Sequence, residues 1–168
     1  RRFHSQLRRR QDFTAAFTDV APYLRAADVT VANLEGPLVT GCPTTDSGTK
    51  FCGDPKFVEG LASAGIDVVS VANNHAGDYG GPGLQETRSL LTAAGIQPLW
   101  ETTPVVTEVK GYRIGWLALD LTSAGETERE ELLTETVAQI HALTATADAV
   151  IVSLHWGVEY QSLPSQWQ

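Results

Sequence analysis

The chain has 168 residues, 42% of them hydrophobic, which is one ordinary domain's worth of core-forming sequence. No stretch approaches the roughly 18 consecutive apolar residues of a membrane-spanning helix. Five of the 12 basic residues lie in the first ten positions and all 20 acidic residues follow, so residues 11–168 carry a formal −13. An acidic body of this kind excludes general nucleic-acid binding, which needs a basic face.

Residues 1–12 read as a solvated basic lead-in, with His4 inside it, and residues 13–168 as the folded part. Phe13–Ala26 places Phe13, Ala16, Phe17, Val20, Tyr23 and Leu24 at helical spacing, with Pro22 as a late interruption. A strand follows at Val29–Leu34, then a loop rich in Gly, Thr and Pro from Thr40 to Gly53. Pro55–Ala64 reads as a helix with Asp54 as its N-cap and Gly65 as its stop. The strand Ile66–Val71 runs into Asn73-Asn74-His75, and a helix covers about Leu84–Ala94 before Gly95 and a short strand at Ile96–Leu99. Pro104–Val109 and Tyr112–Leu119, joined at Lys110-Gly111, predict a β-hairpin. Glu126–Thr144 is helical and feeds the strand Ala149–Leu154. Alternating strands and helices with an inserted hairpin make an α/β class. There is no solenoid-type repeat and no low-complexity segment.

Three of these strands end in groups able to do chemistry. Val29–Leu34 leads to Glu35-Gly36-Pro37, Ile66–Val71 to Asn73-Asn74-His75, and Ala149–Leu154 to His155-Trp156-Gly157. Open α/β sheets place their chemistry at the carboxyl ends of strands. A carboxamide oxygen and a neutral imidazole nitrogen both bind metals, and imidazole is also a general acid. The plainer alternatives are an Asn-rich turn, a solvent-facing Glu35 and a structural His155. Three such ends together favour a metal or phosphate site over coincidence.

The segments ANLEGPL (Ala32–Leu38), VVSVANNHAGDYG (Val68–Gly80) and SLHWGVEY (Ser153–Tyr160) resemble, in this order, the CapA family of poly-γ-glutamate capsule biosynthesis proteins. That family is similar to the calcineurin-like metallophosphoesterases. The resemblance implies a four-layer αββα sandwich, incomplete at both ends here. No strand ending in Gly-Asp precedes Phe13, and no Gly-x-His-x-His segment follows Tyr160. With no Met and an Arg-Arg-Phe start, the sequence reads as a fragment, whose divalent ions would be bound weakly or not at all.

A two-metal phosphoesterase site needs a bridging carboxylate with oxygen and nitrogen donors around it. Glu35 is the bridging candidate, with Asn74 and His155 as further metal ligands. His75 would then lie near the leaving group as general acid or charge stabiliser. Asn33 and Asn73 are candidates for holding ligands from behind, or are turn formers. Asp78 reads as a fixer of the Gly77–Gly80 turn, and Glu159 and Tyr160 as cleft residues or bare rim. His141, on the polar part of a helix, receives no role. The implied cofactor is a divalent ion: manganese, zinc or iron. The implied partners are an anionic polymer or phosphorylated substrate and a membrane-associated synthesis complex, with no nucleic acid.

Cys42 and Cys52 bracket a polar loop and lack Cys-x-x-Cys spacing, so a zinc knuckle is not expected. An oxidising compartment would let them close the loop as a disulfide, which fits an extracytoplasmic, membrane-anchored or secreted family; two free thiols are the cytosolic alternative. Two functions stay open: a metal-dependent hydrolase of phosphoester-like bonds, and a non-catalytic surface component of polymer synthesis and export. A purely structural domain would make the three strand ends accidental.

Overall fold

The computed structural model describes residues 2–44, 48–122, 124–158, 160–165 and 168. The chain forms two compact units, Arg1–Val71 with His75–Pro98, and Ala72–Asn74 with Leu99–Gln168. The class is α/β, as the sequence pattern predicts, with one three-stranded sheet of order β1-β2-β3 and a second of order β4-β5-β6.

In the first unit, α1 (Arg2–Arg10) precedes a 3-10 turn at Thr14–Ala16 and the short α2 (Ala21–Leu24). The basic lead-in is thus helical at Arg2–Arg10, and two of its side chains are held. Leu7 is buried, and Arg8 donates to the Cys42 carbonyl at 2.7 Å and pairs with Asp54 at 3.0 Å. The single helix expected over Phe13–Ala26 is broken. Asp12 Oδ1 accepts the backbone N–H groups of Thr14 and Ala15, which fixes a tight local turn. Pro22, with no N–H to give, then falls in the first turn of a fresh helix, where none is needed.

β1 (Val31–Asn33) runs parallel to β2 (Val68–Ser70), with Val31 opposite Val68 and Asn33 opposite Ser70. All three β2 residues are buried, as a strand covered on both faces requires. α3 (Phe57–Ala64) starts two residues later than expected. Asp54 caps the turn before it instead, taking the Lys56 N–H on its carboxylate and the Phe57 N–H on its carbonyl. Gly65 ends the helix in the left-handed conformation, as expected.

α4 (Gly80–Ala93) begins four residues before the expected start at Leu84. Gly80-Gly81-Pro82-Gly83 reads as a turn, yet first-turn amides have no intrahelical acceptors, so Gly and Pro cost little there. Gly83 is also where Tyr79 and Val39 close in; a Cβ there would lie 2.7 Å from the Tyr79 Cβ. Thr87, buried on α4, ties the helix to the loop after β1 by accepting the Leu38 N–H at 2.9 Å. β3 (Gln97–Leu99) completes the sheet.

In the second unit, β4 (Val105–Val109) and β5 (Tyr112–Asp120) form the expected hairpin. Lys110 and Gly111 both have positive φ, the conformation that a two-residue hairpin turn demands. β6 (Ala149–His155) lies parallel to β5 and brings His155 opposite Asp120. α5 (Glu126–Thr144) links them over the expected range. Trp116, Leu117, Ala118 and Leu119 are fully buried on the central strand, and each large side chain there is worth about 1.5–3 kcal/mol of transfer free energy. Trp116 gives its indole N–H to Thr107 Oγ1 at 2.8 Å, so burial leaves its polar edge satisfied. No helix among the described residues is long and apolar enough to cross a membrane.

Candidate functional site

The end of β2 carries the first cluster. Val71, Ala72 and Asn73 stay buried, Asn74 is exposed, and the chain then turns, with the Asp78 N–H on the His75 carbonyl and the Gly80 N–H on the Gly77 carbonyl. This turn brings Asp78 Oδ2 to 2.8 Å from His75 Nδ1. A carboxylate only accepts, so the imidazole proton sits on Nδ1 and Nε2 keeps its lone pair for proton transfer. The same Asp78 oxygen accepts the Phe51 N–H at 2.5 Å. Phe51 lays its ring on the His75 imidazole, with centroids 3.8 Å apart and planes 24° from parallel. The turn residue is therefore also the orienter of the histidine. Sequence reasoning saw Asp78 only as a turn former and missed Phe51 altogether; the signal for Phe51 was its position beside Cys52.

The β1 end is built in the same unit. Asn33 donates from Nδ2 to Glu35 Oε2 at 2.8 Å, so the carboxylate is oriented by its neighbour two residues back. Gly36 turns the chain at φ +110°, and a Cβ on it would come within 3.0 Å of the Phe51 Cβ. The backbone beside Glu35 and the imidazole of His75 thus share Phe51 as a neighbour. Glu35 and Asn33 are both exposed.

In the second unit, Asn74 Oδ1 lies 3.0 Å from His155 Nε2, two donor atoms proposed from sequence as ligands and 81 residues apart in the chain. The carboxamide oxygen only accepts, so in this contact His155 Nε2 carries the proton, and it would have to give that proton up to bind an ion. Among the described residues, no group of three or more His, Cys, Asp or Glu side chains could hold a metal ion. Beside His155 in register, Asp120 ends β5, and its N–H reaches Glu101 Oε1 at 3.3 Å. Burial, above all, raises the Glu101 pKa from its ordinary 4.5; the Asp120 N–H works against this, while the charges of Asp120 and Glu128 add to it. Neither Glu101 nor Asp120 is marked out in the sequence.

Asn73 is buried, Tyr160 is almost wholly exposed with positive φ, and Glu159 lies outside the described residues. His141 lies exposed in the last turn of α5. The expected Cys42–Cys52 disulfide is present, with Cα atoms 5.8 Å apart. The loop it closes is strapped to the segment after Gly36 by the Gly53 N–H on the Pro37 carbonyl and the Val39 N–H on the Gly53 carbonyl.

Known proteins place the chain. It is 27% identical over 175 aligned residues to the capsule biosynthesis protein CapA of Bacillus anthracis, covering 90% of this chain and 43% of CapA. Two Sinorhizobium fredii proteins, y4sH and y4uA, are each 33% identical over 86 residues, covering 48% of this chain and 19% of their own length. The chain thus spans less than half the length of these relatives. Among solved structures it is similar to a putative 5'-nucleotidase from Staphylococcus aureus in complex with alpha-ketoglutarate, with a TM-score of 0.44 and 18% identity over 62% of this chain and 24% of the other. The family model for the bacterial capsule synthesis protein PGA_cap matches residues 1–168, in agreement with the likeness of the three strand-end motifs to CapA, and the chain belongs to that family.

Proposed function

We propose that this chain carries a metal-dependent phosphoesterase-type site that serves capsule or polyglutamate biosynthesis. The observation that carries the reading is the His75–Asp78 pair, a carboxylate-oriented imidazole one residue from Asn74. Asn74 and His155 would hold a divalent ion (manganese, zinc or iron), with Asn73 as a support; in the first unit, Glu35 is the candidate carboxylate donor, supported by Asn33. When bound, such an ion polarises a phosphoryl oxygen and lowers the pKa of a coordinated water.

The proton work falls to His75. Asp78 engages Nδ1–H, so Nε2 is the atom that exchanges a proton: it would take one up to form the imidazolium and give that proton to the leaving oxygen, a contribution usually worth about 10²–10⁴ in rate. Asn33 keeps Glu35 from rotating away. The substrate class is a phosphoester, or a related bond in an anionic polymer or its lipid-linked precursor. Tyr160, exposed five residues beyond His155 in the chain, would meet such a substrate. The Cys42–Cys52 disulfide supports an oxidising, extracytoplasmic location, where a membrane-associated synthesis complex would be the partner.

The test uses the protein as its complete reading frame encodes it, stripped of metal and then titrated with manganese or zinc. A ligand bound only by the native state raises the thermal midpoint. That rise, lost in Asn74→Ala and His155→Ala, together with metal-dependent hydrolysis of p-nitrophenyl phosphate, is the expected result. A wild type that binds the ion and hydrolyses neither phosphoester nor glutamyl substrates would overturn the enzyme reading in favour of a binding or assembly component.

A further inference from the structure

We propose that the Cys42–Cys52 loop is a clamp on His75, with Phe51 as the positioning residue of the imidazole. The proposal rests on the phosphoesterase reading for its effect on turnover and on geometry alone for the clamp. Phe51 acts through two arms. Its ring lies 3.8 Å from the imidazole, nearly parallel to it, which blocks rotation of His75 out of that plane. Its backbone N–H donates to the Asp78 oxygen that also accepts from His75 Nδ1, so the orienting carboxylate is itself fixed from the loop.

Phe51 is only half-buried, unlike the core side chains of this unit such as Leu38, Leu61 and Leu91, so filling the core does not account for its place. It is also anchored on both flanks. Cys52 follows at once and is tied to Cys42, and Gly53 is hydrogen-bonded to Pro37 and Val39. On the other side, Gly36 has no side chain, so the Phe51 Cβ can approach the turn after Glu35. Without the disulfide, the loop from Cys42 to Cys52 would keep its contacts only through weak, individually reversible bonds, and the ring would lose its fixed seat. An imidazole free to change rotamer spends less time aimed at the leaving oxygen, and misplacement by about 1 Å can cost 10²-fold in rate.

Phe51→Leu removes the ring and keeps apolar bulk, Phe51→Tyr keeps the ring, and the double variant Cys42→Ser/Cys52→Ser removes the anchor. Two readouts are made on the complete protein. In proton–carbon NMR, with His75 assigned by loss of its signals in His75→Gln, the Phe51 ring current displaces the imidazole carbon-bound protons upfield. That displacement should vanish in Phe51→Leu, persist in Phe51→Tyr and shrink in the cysteine variant. With p-nitrophenyl phosphate and saturating manganese, Phe51→Leu should lower kcat by about 10- to 100-fold with KM little changed, and Phe51→Tyr should restore it. Unchanged His75 shifts in Phe51→Leu would overturn the clamp. Lost shifts with wild-type kcat would overturn the positioning role. An inactive wild type would instead sink the phosphoesterase reading, and the NMR response of the cysteine variant would still decide the clamp.

Discussion

Removing the Cys42–Cys52 bond by the double serine substitution tests the main covalent tie outside the backbone. The bond spans a sequence separation of 10, which in the chain-entropy account lowers the disorder of the unfolded chain by about 2.7 kcal/mol at 25 °C. For a chain of this size, each kcal/mol moves the thermal midpoint by about 2–4 °C, so the variant should melt about 5–10 °C below wild type. Calorimetry under non-reducing conditions measures this directly. A phosphine reductant should lower the wild-type midpoint to that of the variant and leave the variant unmoved. Both cysteines lie in the first unit, so the loss should appear in the transition that exposes that unit's core. A shift below about 1 °C would refute the reasoning, because the entropic term acts on the unfolded chain whatever the native contacts are.

His75 and His155 should separate by readout: His75→Gln lowers kcat by about 10²–10⁴ with metal content near normal, whereas His155→Ala lowers metal content and turnover together. Equal metal loss in both variants would refute the assignment. Glu101 gives a pH signature. Its folded pKa lies above the ordinary 4.5, so the folded state binds more protons just above that pH, and stability falls as pH rises through the window. Glu101→Gln should therefore match wild type at acid pH and exceed it at neutral pH in urea midpoints, and parallel profiles would refute the assignment. Thr107→Val leaves the buried Trp116 indole N–H without its acceptor and should cost about 1–3 kcal/mol in urea unfolding; no loss would mean that the indole finds another partner.

The elements legible in the sequence were those whose signals are local and unopposed. Lys110-Gly111 names a two-residue hairpin turn, and the range Glu126–Thr144 appears unchanged as α5. Where local signals compete, sequence reading failed. Helical periodicity over Phe13–Ala26 lost to the Asp12 cap and to Pro22, and the Gly-rich start of α4 hid a first turn that needs no amide acceptors. The same division holds at the site. Polar strand ends are visible as breaks in apolar runs, so Glu35, Asn74, His75 and His155 stood out. Asp78 did not, because a carboxylate in a Gly-rich turn has a sufficient local explanation. Phe51 reaches His75 across 24 residues, a contact no periodicity encodes.

Three consecutive residues at the end of β2 have three different fates, and this constrains how the site can be altered. Asn73 points into the interior and is 5% exposed, Asn74 meets His155, and His75 meets Asp78. β2 ends at Ser70 and these residues lie in the bend and turn that follow, so neighbouring side chains leave in different directions and can serve separate tasks. Substituting Asn74 or His75 should then disturb one task at a time. Asn73 is different, since it is buried directly beside both neighbours in the chain. Asn73→Ala removes a buried polar side chain, an exchange that costs about 1–3 kcal/mol where its partners are left unsatisfied, and is expected to loosen both neighbours at once. Metal affinity and kcat should fall together in this variant, alongside a lower urea midpoint. If Asn73→Ala lowers the midpoint and leaves metal affinity and kcat at wild-type values, Asn73 is a core residue without a hold on the site, and the two neighbours are positioned by the turn at His75–Asp78 alone.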